Sequence, residues 1–194
     1  MVDAQHRPRR PPIATSRLTL RMPRRTDAEA VATYYRDNRA HLQPWSPKWP
    51  DDVVSPRFWE EQASAREADV LAGTAYSMFV FERREPERVA GNISLTQIVR
   101  GPSQSCWLGY GLAEWAQGRG YMTEAVRAAV DLAFVDLGLH RVNAAYVPHN
   151  RRSGAVLRRA GFAVDGYARD YIMIDGRWED HVLTSIVNPG WRAS

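Results

Sequence analysis

Two glycines one residue apart, Gly118 and Gly120, stand in "AQGRGYMTEAV", where a loop becomes a helix. Without side chains the backbone can curl there, and the helix that follows leaves its first N–H groups unpaired and pointing back into the loop. Gln117, Arg119, Tyr121, Met122 and Thr123 lie between and beside the glycines. A helix start also carries partial positive charge, and each favourable interaction with an anion contributes about 0.3–1 kcal/mol. The segment therefore reads as a cradle for a phosphate group. Arg119 is either a charged contact to that group or a solvated surface charge.

The spacing narrows the kind of phosphate. A triphosphate-binding loop needs Lys followed by Ser or Thr after the turn, and no lysine stands there, which excludes a nucleoside triphosphatase on that ground. The dinucleotide fingerprint needs three glycines opening a helix. In "GYGLAEWAQGRG" the pair Gly109 and Gly111 runs into Glu114, and the later pair lacks a third partner. Gly109, Tyr110, Gly111 and Leu112 end an apolar strand, where glycine fits either a close backbone approach to a ligand or a bulge and tight packing. His140, His149 and His181 show no metal-ligand spacing, so no metal is implied. Cys106 lies on an apolar strand with nothing nearby in sequence to lower its pKa. It reads as a small buried residue, not a nucleophile.

The elements that must position these residues follow from periodicity. "SRLTLRM" alternates as a strand, and "TDAEAVATYYRDN" follows as a helix with Thr26 and Glu29 at capping-box spacing. "LQPWSPKWPDDVVSPRFWEEQ" brings three tryptophans and four prolines before a second helix with Pro56 in its first position. Its tryptophans form either a satellite core or a wall of a pocket. "AYSMFVFERR", "RVAGNISLTQIV" and "SCWLGYGL" read as strands joined by the turns "REPER" and "RGPS". The period then changes to 3.6: Met122, Ala125, Val126, Ala129, Val130, Ala133, Phe134 and Leu137 make one apolar stripe. After the strand "HRVNAAYV", Asn150 caps a helix that Gly161 stops, and a final strand pair turns at Asp175 and Gly176. This is a mixed α/β (α+β) sheet protein.

At 194 residues the chain suits one domain, assigned to 15–194 behind a basic, proline-rich and mobile tail over 1–14. The tail has no apolar core of a signal peptide, and no run approaches the roughly 20 apolar residues of a membrane span. One cysteine permits no internal disulfide, which fits a reducing cytosol, and the expected location is the cytoplasm. The net charge of +4 is modest and comes almost wholly from arginine, Lys48 being the one lysine. It marks either solvated faces or a surface that favours acidic partners. No basic stripe interleaved with aromatics argues for reading nucleic acid.

"LGYGLAEWAQGRGYMTEAV" followed by "LHRVNAAYVPHNRRSGAVLRRAGF" resembles the acetyl-coenzyme A binding core of the GNAT N-acetyltransferases. "YYRDNRAHLQPWSP" and "GYARDYIMIDGRWEDHVLTS" extend the resemblance to the RimJ/RimL type, nearest its RimJ branch, which acetylates the N-terminal amine of ribosomal proteins. It covers nearly the whole chain from about Thr15. One departure is Trp115, standing where the general pattern has arginine or glutamine three residues before the first loop glycine. The resemblance implies a mostly antiparallel sheet with a splayed strand pair and flanking helices, with acetyl-coenzyme A as cosubstrate and no metal. It places the pantetheine arm along Gly109, Tyr110, Gly111 and Leu112 and the pyrophosphate on Gln117–Thr123. By matching positions, Asn150 contacts the coenzyme and Ser153 is a general acid for the departing thiolate. Both also read as plain helix-start residues. Tyr110, Tyr146 and Tyr171 are alternative phenolic donors, or packed aromatics.

An α-amine with a pKa of about 7.7–8.0 is partly neutral at pH 7 and asks little of a base. A carboxylate acting through water suffices, with Glu114 first among Glu114, Asp170 and Asp180. Tyr34, Tyr35, Trp45, Trp49 and Tyr171 are the expected walls of the acceptor groove. The reading is direct acetyl transfer, in a ternary complex, to the N-terminal α-amine of a protein, an alanine-starting ribosomal protein above all. Acetylation of a small-molecule amine, or a coenzyme-binding factor that docks on ribosomal particles, remain the alternatives.

Overall fold

A computed structural model describes residues 11–192 of the protein. Its strands are β1 (Ile13–Ala14), β2 (Leu18–Arg21), β3 (Tyr76–Glu82), β4 (Glu85–Val99), β5 (Ser105–Leu112), β6 (Arg141–Tyr146), β7 (Ala163–Ile174) and β8 (Arg177–Val187). They form one 8-stranded sheet in the order β1-β2-β3-β4-β5-β6-β8-β7. Every neighbouring pair is antiparallel except β5 with β6. The helices are α1 (Ala28–Asp37), α2 (Arg39–Leu42), α3 (Pro56–Ala72), α4 (Tyr121–Asp131) and α5 (Arg151–Ala160).

The run "YSMFVFE" reads apolar throughout because β3 is covered on both faces. Phe79 meets the aromatic rings of α1 and α3, while Met78 and Val80, pointing the other way, are equally buried. On the first side Trp59 of α3 stacks on Tyr35 of α1 at 5.0 Å and donates its indole N–H to the Val53 carbonyl at 2.7 Å. α4 packs its apolar stripe on β2, β4 and β5 and also touches α5.

The structure corrects four local expectations. The sheet begins before Thr15, because Ile13 and Ala14 pair with Leu20 and Thr19. Residues 1–10 of the expected tail lie outside the described residues. Thr26 and Glu29 form no capping box: the Asp27 carboxylate takes the Arg24 N–H at 2.6 Å and pairs with Arg21, while Glu29 bonds Thr33 at 3.3 Å. Burial would raise the pKa of Asp27, but these donors lower it on balance. The first hairpin turns at Arg83 and Arg84, so Glu85 already pairs with Glu82 and only the start of "REPER" is turn. Finally, the stripe through Leu137 is not one α-helix. Its last turn, Leu132–Asp136, is π-helical, and the Leu137 N–H bonds the Leu132 carbonyl at 2.9 Å. That wider turn keeps Leu132, Ala133 and Leu137 buried.

Candidate active-site cleft

β5 and β6 run side by side only where Ser105–Trp107 face Arg141–Asn143. Beyond that point β5 stays with β4 as far as Leu112, and β6 stays with β8 as far as Tyr146. The two strands splay, and the opening forms part of a cleft of about 1980 Å³. Backbone groups of β5 that would have bonded β6 are left for an extended ligand, as in strand addition. A side-chain bridge spans the gap. The Tyr110 hydroxyl lies 3.0 Å from the Ser153 carbonyl, to which it donates, and 2.8 Å from Ser153 Oγ. Burial pushes the Tyr110 phenol far above its ordinary pKa, so it keeps its proton.

Gly109, Gly111 and Leu112 also line the cleft. The need for glycine at 111 is internal: a Cβ there would lie 2.7 Å from Asn92 Oδ1 and 3.2 Å from the Tyr34 hydroxyl. Those two groups bond each other at 2.9 Å, Asn92 lining the cleft and Tyr34 buried behind it.

At the other end, Gly118 and Gly120 both take the left-handed conformation, at φ 76° each. A side chain would be strained there, and Gly120 is the N-cap of α4 without a side-chain cap. Among the described residues, no backbone N–H from Gly118 to Thr123 donates to a carbonyl; the first to do so is Glu124, onto Gly120 at 3.1 Å. These donors face a rim that includes Arg17, Arg127, Arg152 and Arg159. The site therefore fits a pyrophosphate-bearing ligand. Gln117 is held from both sides: its Nε2 donates to His41 Nε2 at 2.7 Å and its Oε1 accepts from Arg152 at 2.8 Å. Arg119 does not line the cleft. Its guanidinium turns to Glu82 at 3.3 Å and to the rings of Trp115 and Tyr121. Trp115 thus stacks arginines, Arg88 among them at 3.9 Å, instead of serving the loop.

Asn150 caps α5 by accepting the Ser153 N–H at 3.1 Å, and both residues line the cleft beside the splay. Glu114 reaches the cleft as an exposed side chain, its own N–H fixed by Asn38 Oδ1 at 2.9 Å. Asp170 and Asp180 do not line it; Asp180 accepts the Tyr167 hydroxyl at 2.5 Å and the Asp170 N–H at 2.9 Å.

Trp45, Trp49 and Tyr35 line the far wall of the same cleft. Trp45 is 36% exposed and lies 5.2 Å from the His149 ring, whereas Trp49 sits edge-on to Tyr35 at 4.9 Å. Tyr34 and Tyr171 are not brought to this wall. Tyr34 is buried under the floor, and Tyr171 packs against Trp107 and His181. Several lining residues carry no signal in sequence: Arg17 arrives from the bend between β1 and β2, Asn92 and Ser94 from β4, and His181 from β8. Cys106 is fully buried, and burial pushes its thiol up to about 12. Among the described residues no group of His, Cys, Asp and Glu gathers that could hold a metal, and no helix is long and apolar enough to cross a membrane.

The comparisons agree with this geometry. Residues 17–163 match the acetyltransferase (GNAT) domain. The chain is 38% identical, over 92% of both proteins, to the [ribosomal protein uS5]-alanine N-acetyltransferase of Escherichia coli K12. In structure it is similar to the ribosomal-protein-S5-alanine acetyltransferase of Vibrio fischeri, with TM-score 0.87 and 34% identity over 93% of this chain and 98% of that one. It is also similar to Mycobacterium smegmatis RimJ in complex with CoA-disulfide, with TM-score 0.82 and 28% identity over 91% and 85%. The splayed strands, the glycine loop with its free N–H groups and this match over most of the sequence place the chain in the GNAT family of acetyl-coenzyme A-dependent N-acetyltransferases.

Proposed function

We propose that the protein acetylates the N-terminal α-amine of a ribosomal protein that begins with alanine, within one domain whose first strand is Ile13–Ala14, in the cytoplasm. The observation that carries this reading is the continuity of the cleft. It runs from the free N–H groups of 118–123, through the opening between β5 and β6, to the wall of Trp45 and Trp49. Acetyl-coenzyme A supplies the activated acetyl group and the thiolate leaving group. The named activity of the Escherichia coli relative supports the choice of acceptor.

In this reading the loop from Gln117 holds the pyrophosphate, and the edge of β5 from Gly109 to Leu112 pairs with the pantetheine arm. An N–H near Gly111 or Leu112 polarises the thioester carbonyl. The α-amine approaches from the tryptophan wall and attacks directly. Ser153, bonded to Tyr110 and seated on the Asn150-capped start of α5, delivers a proton to the departing sulfur. Glu114 remains a carboxylate at the rim able to act through water.

The test is acetylation of a peptide pool starting with alanine, serine, glycine or methionine, beside N-blocked lysine peptides, read by mass spectrometry. One added acetyl group at the alanine α-amine is the expected result. Coenzyme binding without any peptide product sinks the acceptor assignment and favours a small amine or a docking role.

A further inference from the structure

We propose that His181 is the group that takes the proton from the acceptor amine. The inference rests on the acetyl-transfer reading above. It starts from the tautomer that the fold imposes. His181 lies on β8, is 3% exposed and lines the cleft. Its Nδ1 is 2.9 Å from the Glu179 carbonyl oxygen, which can only accept, so Nδ1 carries the hydrogen. In the neutral ring Nε2 then holds the lone pair, and the ring makes no other hydrogen bond among the described residues. A neutral imidazole can take a proton on that lone pair, and an α-amine with a pKa of about 7.7–8.0 still carries one in most molecules at pH 7.

The other histidine on the cleft makes the contrast. His41 already spends its Nε2 lone pair on the Gln117 amide at the coenzyme end. Among the described carboxylates that line the cleft none offers a better place: Glu114 and Asp131 are exposed, Glu124 is held by Thr15 and Arg17, and β4 presents Asn92 and Ser94. Around His181 the titratable groups are Glu179 and Asp180 on its own strand, Tyr171 of β7 at 5.7 Å between rings, Tyr146 of β6 opposite Val182, and Tyr110 of β5 across the cleft. Asp180 is occupied by Tyr167 and the Asp170 N–H. Ile172 and Ile174 complete an apolar side to the pocket.

The step balances simply. R–NH3⁺ gives one proton to Nε2 and becomes R–NH2. Nitrogen attacks the thioester carbon, the C–N bond forms, the C–S bond breaks, and the thiolate gains the second proton through Ser153. The third hydrogen stays on the amide, and His181 later releases its proton to water.

His181→Asn retains an amide donor near the position of Nδ1 and removes Nε2, so it tests the base and spares the Glu179 bond. With an alanine-starting peptide that the wild type acetylates, kcat should fall about tenfold at pH 7, to the share of the α-amine that is already neutral. The KM for acetyl-coenzyme A should not change, and the acid limb of the kcat–pH profile should give way to a rate that climbs with the free amine. Wild-type kcat and an unchanged profile overturn the proposal. His181→Gln is the second variant, judged by the same two readouts. If both variants lose coenzyme binding in calorimetry, ¹⁵N NMR of the wild-type ring decides. A hydrogen on Nδ1 with bare Nε2 supports the assignment; the reverse overturns it. Failure of the wild type to acetylate any peptide strikes the acceptor reading instead, and is seen before any variant is made.

Discussion

The two ends of the cleft are built from different materials. The end proposed for the coenzyme uses backbone: a contiguous loop and helix start whose N–H groups from Gly118 to Thr123 have no carbonyl partner among the described residues, with left-handed glycines at 118 and 120. The end proposed for the acceptor uses side chains gathered from remote segments, with Trp45 and Trp49 before α3, and His181 on β8. A backbone site is written in one short motif and fails when its dihedrals are disturbed. A side-chain site is spread over the chain and fails one contact at a time.

Gly120→Val should break the first end most severely. The substitution forces a β-branched residue to φ 76°, a strain of about 1–3 kcal/mol that the loop relieves by moving its N–H groups. Coenzyme affinity measured by calorimetry should fall about 100-fold, with the fold retained by circular dichroism. Near-native affinity would mean that the arginine rim, not the loop, holds the ligand. Ser153→Ala comes next. It removes the hydroxyl beside Tyr110 but leaves the backbone N–H that Asn150 caps, so kcat should drop about tenfold or more while coenzyme Kd and Tm stay close to native.

This contrast also explains what was legible in sequence. The glycine loop, the apolar stripe of α4, the Asn150 cap and the Asp175–Gly176 turn are local, and each stands where periodicity and turn chemistry put it. Arg119 was legible only as a type. Its direction depends on Glu82 and Trp115, which sequence spacing does not bring together. Tyr34 and Tyr35 are adjacent and chemically alike, yet a helix turns neighbours by about 100°. One therefore sits under the floor bonded to Asn92 while the other lines the wall. At Gly111 sequence leaves open close approach to a ligand or tight packing, and Asn92 and Tyr34 supply the packing reason. Nothing local marked His181, because its role in the cleft depends on strand order.

The same pair of tyrosines sharpens the acceptor end. Trp45→Ala should raise the KM for the acceptor peptide about tenfold and leave that for acetyl-coenzyme A unchanged, because the ring lines the wall and bonds nothing at the loop. Tyr34→Phe deletes the Asn92 bond and should cost about 1 kcal/mol of stability with little change in acceptor KM. An equal rise in both KM values for Trp45→Ala would mean that the tryptophan supports the whole cleft and is not specific to one ligand.

The smallest expected effect probes how the backbone end is anchored. Glu124, in the first turn of α4, accepts from Thr15 at 2.6 Å, Ser16 at 2.9 Å, and the Arg17 N–H and guanidinium at 3.0 and 2.7 Å. Burial alone would raise its pKa, but these donors hold it at about 2, below the ordinary 4.5. A depressed carboxylate stabilises the fold above about pH 4.5, and that contribution disappears as pH falls towards 2. Arg17 is half exposed, so solvent screening keeps the gain small. Glu124→Gln should lower Tm at pH 7 by about 2–4 °C and flatten the loss of Tm between pH 5 and pH 3. The same variant frees Arg17, which also donates to the Arg119 carbonyl at 2.7 Å within the loop. A modest weakening of coenzyme binding alongside the lower Tm would show that the strap from Thr15 to Arg17 helps shape the loop. An unchanged Kd with the same Tm loss would assign the strap to stability alone, leaving the loop dihedrals fixed by its glycines and by α4.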